Sequence, residues 1–575
     1  MAMLNFYQDN PDILFYLKNL DLKKLIELKE NGFADKDEYL DAPSSIEEAL
    51  DNYAHVLDLV GEIAGEYLSP YAEEVDKIGA TFENGEVKYP DPITAIIKRL
   101  SDANLLGFTF SRKYGGLNLP KTIYAMAIEL VSRADASFMT IFGLQEIAET
   151  INHFGNDDQR SRYLTRFSSG EVLGAMALTE PDAGSDLQAI QVKAFQDEKG
   201  IWRLNGVKRF ITNGCAKIIL VLARSEEDIS DGRGLSLFIY ERDKDMKLRR
   251  IEDKLGIHGS PTCELQFNDA KAELLGERKR GLIKYTWALM SGARLGVSAQ
   301  AVGIAEAAYR EAGLYASKRI QFNQTIDNFP PVYEMLTDMK VNIEAGRALL
   351  YEAAQIVDMK EGLEHRINIH PETKRDLKTE LRSYADFEQL FTSLLKCYAT
   401  EMANRVCYDA LQVHGGVGYT RSFAVERLSR DARITSIYEG TTQLQVVAAT
   451  GALMKGTVSK RLEDYEKNHD FGPVPELFEG AKKLREMLES SIAHVQEKAD
   501  PTYSEYHARR LVDMAADTII SYLLCIGALA SDKKKKIAAL FISKAIHKIK
   551  STLDYILSND KSLIEFHRDI IGPKE

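Results

Sequence analysis

The chain has 575 residues, of which 45% are hydrophobic and 28% are charged, and its formal net charge is −13. This length allows about three or four domains with sizeable cores, and the acidic balance argues against a nucleic-acid partner held by phosphate contacts. Five scattered cysteines without CxxC spacing argue against a disulfide framework and a zinc site. The sequence shows no basic leader and no apolar run of about eighteen residues. We therefore expect a cytoplasmic protein without a bound metal or a transmembrane segment.

Helical spacing of apolar residues dominates the chain on both sides of one β-rich section. In that section, runs such as residues 218–222 and 235–240 are apolar and are separated by Gly, Asp and Asn turns. The lysine run at 533–536 lies on a helical segment and is expected to be a solvated face, with membrane-surface contact as the alternative. The predicted sections are a helical extension (1–45), a helical domain (46–168), a β domain (169–282), a second helical domain with a charged insert at 360–385 (283–455) and an additional helical domain (456–575).

One carboxylate stands out in the second helical domain. Glu439 lies between Tyr438 and Gly440, directly before a predicted helix that opens with a Thr442-x-x-Gln445 capping box. A carboxylate in a loop at a helix start can reach into a cleft and act as a general base. The alternative is a solvated glutamate that interacts favourably with the helix dipole. The segment alone favours the second interpretation.

Two strand ends in the β domain carry polar groups that could face a ligand. The turn expected at residues 181–184 places Thr179 at a strand end, with its hydroxyl and N–H available, and Ser185 on the other side. By strand alternation Phe210 and Thr212 point to one face, where a ring and a hydroxyl could flank a planar group. The alternatives are a hairpin turn with local hydrogen bonds and an ordinary aromatic–threonine pair.

Five motifs occur in a fixed order, and together they resemble those of the acyl-CoA dehydrogenases. They are residues 177–186, 210–214, 319–322, 412–416 and 438–441. The N-terminal extension and the extra C-terminal helices are similar to those of the larger bacterial members. The resemblance implies an α+β multidomain fold: an N-terminal helical domain, a middle β-barrel-like domain, a C-terminal four-helix-bundle-like domain and an additional helical domain. It also implies a homodimer or a homotetramer.

The resemblance further implies FAD between the β domain and the helices, with part of each site supplied by a second subunit. Arg319 suits the FAD pyrophosphate because a planar guanidinium binds two oxygens at once, although a surface arginine is the alternative. No role is assigned to His414. The residues implied to bind FAD are Met176, Leu178, Thr179, Ser185, Phe210, Thr212, Arg319, Gln321, Phe322, Gln412, Gly415, Gly416, Thr441 and Gln443. Those implied to contact acyl-CoA are Ser185, Arg294 and Gly440, with a structural salt bridge as the alternative for Arg294.

The sequence also departs from the family pattern at three places. Asn323 stands where the family usually has glycine, Phe329-Pro330 where a His-Gln pair is common, and Val446 where an arginine often follows the catalytic motif. These changes affect the implied contacts to the FAD adenosine half and to the acyl-CoA phosphates. They leave the residues expected around the flavin ring intact.

The implied reaction is the α,β-dehydrogenation of an acyl-CoA thioester to the 2-enoyl-CoA, as in fatty acid or carboxylic acid degradation. Glu439 would remove the α-proton, the β-hydrogen would leave as hydride to FAD, and electrons would pass to electron-transfer flavoprotein. The same fold would also serve an acyl-CoA oxidase, a decarboxylating dehydrogenase or a desulfinase. A non-catalytic flavoprotein binding module is the alternative of a different class, and the acyl group itself is left open.

Overall fold

A computed structural model describes residues 4–572 and confirms the expected order of a helical domain, a β domain and further helices. The predicted N-terminal extension contains helices Pro11–Asn19 (α1) and Lys23–Lys29 (α2). The Asn10 side chain caps α1 by accepting hydrogen bonds from the backbone N–H groups of Asp12 and Ile13. The outermost predicted positions, 1–3 and 573–575, lie outside the described residues.

The first helical domain surrounds one central helix, Lys121–Ala134, which is buried on nearly every side. Asn84 and Gly85 form the tip of a two-stranded hairpin, Thr81–Glu83 (β1) and Glu86–Lys88 (β2). The first helix of this domain continues into a π-helical turn, Ile63–Leu68. The helices are Ile46–Glu62 (α3), Ala72–Ile78 (α4), Asp91–Asp102 (α5), Lys121–Ala134 (α6), Ala136–Phe142 (α7), Glu146–Phe154 (α8) and Asp157–Ser168 (α9).

The β domain is a sheet that closes on itself. Its strands are Gly174–Ala177 (β3), Lys193–Gln196 (β4), Trp202–Thr212 (β5), Ile218–Arg224 (β6), Leu235–Glu241 (β7), Met246–Ile251 (β8) and Thr262–Leu274 (β9). They pair in the order β3-β6-β4-β5-β9-β7, with β8 on β9, and a further β6–β7 pairing joins the two sides. This closure makes the predicted barrel-like domain. The sequence patterns did not predict β4 and β8, in each of which half of the side chains are polar or charged.

The second helical domain is dominated by three long helices that pack on one another. The charged segment at 360–385, expected as an insert, comprises the end of one long helix, a short turn at Pro371–Thr373 and the start of the next. A small hairpin, Ile320–Gln321 (β10) and Gln324–Thr325 (β11), follows the first long helix. The helices are Trp287–Lys318 (α10), Pro330–Ile369 (α11), Lys374–His414 (α12), Ala424–Thr435 (α13) and Thr442–Met454 (α14).

The additional domain consists of helices Thr457–Asn468 (α15), Pro475–Lys498 (α16), Pro501–Ala528 (α17), Asp532–Leu557 (α18) and Ser562–Ile571 (α19). By length and composition α17 alone among the described helices could cross a membrane. However, 78% of its most apolar eighteen-residue window is buried inside the protein. Burial of this extent is typical of a core helix, and α17 packs against both α16 and α18.

A buried ionic cluster connects the two ends of the chain to the second helical domain. Lys534 of α18 contacts Asp12 of the extension at 2.8 Å and also pairs with Glu344 of α11. Lys340 reaches the same Asp12 at 2.6 Å, and Arg347 pairs with Glu344. Lys534 is therefore buried, unlike its neighbours in the 533–536 run, and the prediction of a wholly solvated lysine face is wrong at this position.

Candidate active site

Glu439 lies in the short turn between α13 and α14. Its φ is +54°, and the following Gly440 has a φ of +87°. Left-handed backbone is uncommon for a residue with a side chain, and strain of this kind is concentrated at functional sites. A hydrogen bond from the Thr442 N–H to the Ser436 carbonyl, 3.1 Å long, closes the turn.

The start of α14 differs in detail from the predicted capping box. The N-cap is Thr441, whose hydroxyl accepts a hydrogen bond from the Leu444 N–H at 3.4 Å. Thr442 is the first helical residue, and its hydroxyl donates to Glu401 at 2.8 Å. The Gln445 amide reaches back to the carbonyls of Glu439 and Gly440 at 3.3 and 3.2 Å. Gln445 therefore stabilises the loop that holds Glu439, rather than a helix cap.

The electrostatic environment of Glu439 suits a base. Its side chain is partly open to a pocket but otherwise surrounded by protein, and this desolvation raises the pKa of Glu439 to about 7, against the opposing charges of Lys396 and Arg294. Lys396 is 1% exposed and donates to the carbonyls of Gly440 at 2.5 Å and Thr435 at 3.2 Å. Burial lowers the pKa of Lys396 to about 8. A base with a pKa near 7 is matched to proton transfer at neutral pH.

Tyr438 fixes the loop that carries Glu439 to the long helix α10. Its hydroxyl donates to the side-chain oxygen of Gln300, which is fully buried. The Gln300 amide in turn donates to the Ala136 carbonyl at 2.9 Å. The loop that carries Glu439 is thus connected to both helical domains.

A pocket of about 640 Å³ opens beside Glu439. Its wall in the β domain includes Met176 of β3 and Thr212 of β5, so three residues predicted from distant segments line one space. The other walls are mainly apolar faces of α6 and α10, including Ile128 and Leu295. This arrangement places a carboxylate opposite a β-sheet wall across an apolar channel.

A buried ion pair supports the wall of the β domain behind Leu178 and Thr179. The Lys208 side chain is fully buried and donates to the Leu178 carbonyl at 2.7 Å and to Glu180 at 2.9 Å. The Arg209 N–H donates to the Thr179 carbonyl at 3.0 Å. These hydrogen bonds hold the segment that directly follows β3 against β5.

Phe210 and Thr212 do not share a face by simple alternation. The pairing of β5 with β9 shifts between Lys208 and Ile211, and Phe210 has a φ of +60°. This bulge inserts an extra residue and redirects the side chains around it. Thr212 lines the pocket, whereas Phe210 is 51% exposed and packs under the Arg209 guanidinium at 4.6 Å.

Arg294 is buried close to Glu439 but makes no salt bridge within the described residues. Its one side-chain hydrogen bond there is a long one of 3.4 Å to Ser393, and its Nε has no partner. Burial lowers the pKa of Arg294, and Glu388 and Glu439 oppose that effect. The structural salt bridge considered for this residue is therefore absent from the described part of the chain.

Many of the implied FAD contacts lie on the protein surface, away from the pocket. Arg319 ends α10, and the β10–β11 hairpin that follows turns through Phe322 and Asn323, both left-handed at φ +50° and +65°. Asparagine tolerates this conformation, so the departure from glycine at 323 fits the turn. Buried His414 stacks on Tyr315 with centroids 4.4 Å apart, which supports giving it no role. The exposed positions are Ser185, Arg319, Gln321, Phe322, Gln412, Gly415, Gly416 and Gln443.

Three residues around the site, Lys396, Lys208 and Gln300, were not predicted from the sequence. Lys396 follows Leu394 and Leu395 on α12, and a single lysine in an apolar helical run was a detectable signal. Lys208 and Gln300 gave no comparable signal, because their partners lie in other segments.

Comparison with known families accounts for nearly the whole chain. Residues 51–171, 175–270 and 279–452 match the N-terminal, middle and C-terminal domains of acyl-CoA dehydrogenase, and residues 454–562 match the acyl-CoA dehydrogenase C-terminal model. A barrel-like domain between helical domains, with a glutamate at their junction, is the arrangement of a flavoprotein oxidoreductase. The chain belongs to the acyl-CoA dehydrogenase family and is an oxidoreductase of that family.

Individual relatives agree with this assignment. The chain is 32% identical to the short-chain specific acyl-CoA dehydrogenase of Clostridium acetobutylicum over 70% of this chain and 97% of the relative. It is 34% identical to 3-methylmercaptopropionyl-CoA dehydrogenase of Ruegeria pomeroyi over 71% of each chain. The structure is similar to that of an acyl-CoA dehydrogenase complexed with FAD from Bacillus anthracis, with a TM-score of 0.72, 27% identity and 88% of both chains covered.

Proposed function

We propose that this protein is an FAD-dependent acyl-CoA dehydrogenase that converts an acyl-CoA thioester into the 2-enoyl-CoA, with Glu439 as the base. The observation that carries the proposal is that Glu439 lines the same pocket as Met176 and Thr212 of the β domain. A thioester lying in this channel would present its α-carbon to Glu439 on one side and its β-carbon to the sheet wall on the other.

The residues of the sheet wall fit a flavin. Met176 offers a flat apolar contact, Thr212 offers a hydroxyl at the pocket surface, and the bulge exposes the ring of Phe210. The structural relative complexed with FAD supports the same cofactor here. When bound, FAD would accept the β-hydrogen as hydride.

The proton chemistry belongs to Glu439. With a pKa of about 7 it is a stronger base than an ordinary glutamate, whose pKa is about 4.3. Lys396 moderates this rise, so that a useful fraction of Glu439 remains deprotonated at neutral pH. The backbone N–H of Glu439 would donate to the thioester oxygen as negative charge develops there. A donor of this kind contributes about 3 kcal/mol in comparable sites.

The test is Glu439→Gln, which keeps the size and removes the base. We expect the variant to retain FAD and to lose bleaching of the flavin when an acyl-CoA is added without oxygen. Glu388→Gln is the matched control, because Glu388 is another buried glutamate that lies outside the pocket lining. A Glu439→Gln enzyme that reduces its flavin at a near-normal rate would refute the assignment of the base.

We propose electron-transfer flavoprotein as the electron acceptor, a homodimer or homotetramer as the assembly, and the cytoplasm as the location. Support for the acceptor comes from a similar chain in a structure described as the electron transferring flavoprotein of Acidaminococcus fermentans, with a TM-score of 0.61 and 34% identity over 70% of this chain and 97% of that chain. The exposed Arg319 and Phe322 support an assembly in which they reach a second subunit. Oxygen consumption without an added acceptor would instead identify an oxidase.

A further inference from the structure

The largely apolar pocket beside Glu439 also contains an ion pair. The Lys121 ammonium donates to both carboxylate oxygens of Glu146, at 3.0 and 2.9 Å. The two side chains are only 5% and 12% exposed, and both line the pocket. Burial lowers the pKa of Lys121, but the nearby carboxylates, Glu146 first, outweigh it and raise that pKa well above its ordinary value. Lys121 is therefore a charged group in a largely apolar space.

This pair lies apart from Glu439, although both line the same pocket. On α10, Gly292 packs against Glu146, whereas Gln300 binds the hydroxyl of Tyr438, which precedes Glu439. Eight residues of helix separate Gly292 from Gln300, about 12 Å along the axis. The charges acting on Glu439 are those of Lys396 and Arg294, and the pair is not among them.

The ion pair is held in place by its surroundings. A Cβ at position 292 would lie 2.3 Å from a carboxylate oxygen of Glu146, so any larger residue there would force the Glu146 carboxylate to move from its present position. The backbone N–H of Lys121 donates to Asp358 at 2.6 Å, and Thr122 donates to the same carboxylate from its N–H and its hydroxyl. The start of α6 is thus fixed, and Lys121 projects from a rigid position.

The pair presents both a donor and an acceptor to the channel. An ammonium has three N–H groups, of which at most two are used by the two oxygens of Glu146, and each carboxylate oxygen can accept a further bond. The next charges that act on Lys121 are the carboxylates of Glu361 and Glu149. An additional carboxylate brought by a substrate would therefore meet three existing acidic groups around one lysine.

We propose that the Lys121–Glu146 pair selects acyl-CoA substrates whose acyl group ends in a neutral hydrogen-bonding group, such as a hydroxyl. The hydroxyl oxygen would accept from Lys121 while its hydrogen is donated to Glu146. A methyl group of similar size would displace the water that hydrogen-bonds to both charged groups and would form none of those hydrogen bonds itself. The free-energy cost of losing them ordinarily exceeds the gain from burying one methyl group. An ω-carboxylate would be repelled. This inference rests on the proposed dehydrogenase function.

The test is binding of matched acyl-CoA pairs to the FAD-loaded Glu439→Gln enzyme, which cannot turn them over. Calorimetry compares ω-hydroxybutyryl-, ω-hydroxypentanoyl- and ω-hydroxyhexanoyl-CoA, each with the alkyl-CoA in which a methyl replaces the hydroxyl. At the length that reaches the pair, the hydroxyacyl-CoA should bind about tenfold more tightly or better. Glutaryl-CoA should bind at least about tenfold more weakly than ω-hydroxypentanoyl-CoA. Equal or tighter binding of the alkyl partner at every length would overturn the proposal.

A double variant localises the effect. Lys121→Met with Glu146→Leu should remove or reverse the hydroxyl preference, and Lys98→Met with Asp102→Leu, an exposed i,i+4 pair, should leave it unchanged. Should the first double variant fail to fold, the comparison of ligands on the Glu439→Gln background still decides the question. A hydroxyl preference that persists in the folded double variant would refute the role of the pair. Failure of the proposed function is separate: then no acyl-CoA would bleach the flavin of the unaltered enzyme.

Discussion

Lys396 offers a direct test of how the protein sets the basicity of Glu439. Its ammonium charge opposes the desolvation that raises the pKa of Glu439 to about 7. Lys396→Met removes that charge, so the pKa of Glu439 should rise further, by about one unit for a nearby opposite charge. Because the deprotonated form is the base, the rate of flavin reduction rises with pH through this pKa, and the whole rise should move to higher pH.

The magnitude follows from the fraction of Glu439 that is deprotonated. With a pKa of about 7 that fraction is about one half at pH 7, and with a pKa of about 8 it is about one tenth. Reduction at pH 7 should therefore slow about fivefold, while the rate at pH 10 should change little. The measurement is stopped-flow flavin reduction without oxygen, from pH 5 to pH 10.

Lys396 also donates to the carbonyls of Thr435 and Gly440, so lost hydrogen bonds could slow the reaction without moving a pKa. Lys396→Gln is the control, since it keeps a donor and removes the charge. Both variants should show the same upward shift of the midpoint. An unchanged midpoint in both, or a downward shift, would refute the electrostatic role of Lys396.

Two further variants test the buried ion pairs. Lys208→Met removes the side chain that donates to the Leu178 carbonyl, and we expect FAD to bind about tenfold more weakly. The control is Lys217→Met, at an exposed lysine. Equal flavin contents in the two purified variants would contradict this prediction. Lys534→Met leaves Asp12 and Glu344 with one fewer buried partner, and breaking a buried pair costs about 3–5 kcal/mol. Urea unfolding should show this loss, whereas Lys535→Met at the exposed neighbour should change stability by about 0.5 kcal/mol or less.

The local patterns of the sequence determine most of the fold. Apolar residues at helical spacing or in short runs between turns identified the order of domains, because that periodicity reflects which face of an element is buried. The pattern was weakest in short strands with as many polar or charged side chains as apolar ones, as in β4 and β8. At 360–385 high charge indicated an insert within the helical pattern, and the structure shows that the segment contains the end of α11, a short turn and the start of α12. A helix that is exposed to solvent can continue through a segment that lacks the apolar periodicity from which helices are predicted.

The candidate base was also visible in the sequence, as Glu439 within an ordered set of motifs. Its chemistry was not, because a pKa depends on groups brought close in space. Lys396 acts on Glu439 from another helix, and Tyr438 is held by Gln300 of a third. The bulge at Phe210 likewise follows from pairing between β5 and β9, and overrides the alternation expected of an isolated strand.

The motifs of this chain thus determine that an acyl-CoA dehydrogenase fold is built and point to the carboxylate that we propose as its base. Tertiary structure alone decides which groups surround that carboxylate and which other side chains line the pocket. Lys121 and Glu146 are 25 positions apart on different helices, and only the packing of α6, α8 and α10 brings them together beside Gly292. Contacts of this kind depend on the relative placement of whole elements, which local periodicity does not encode.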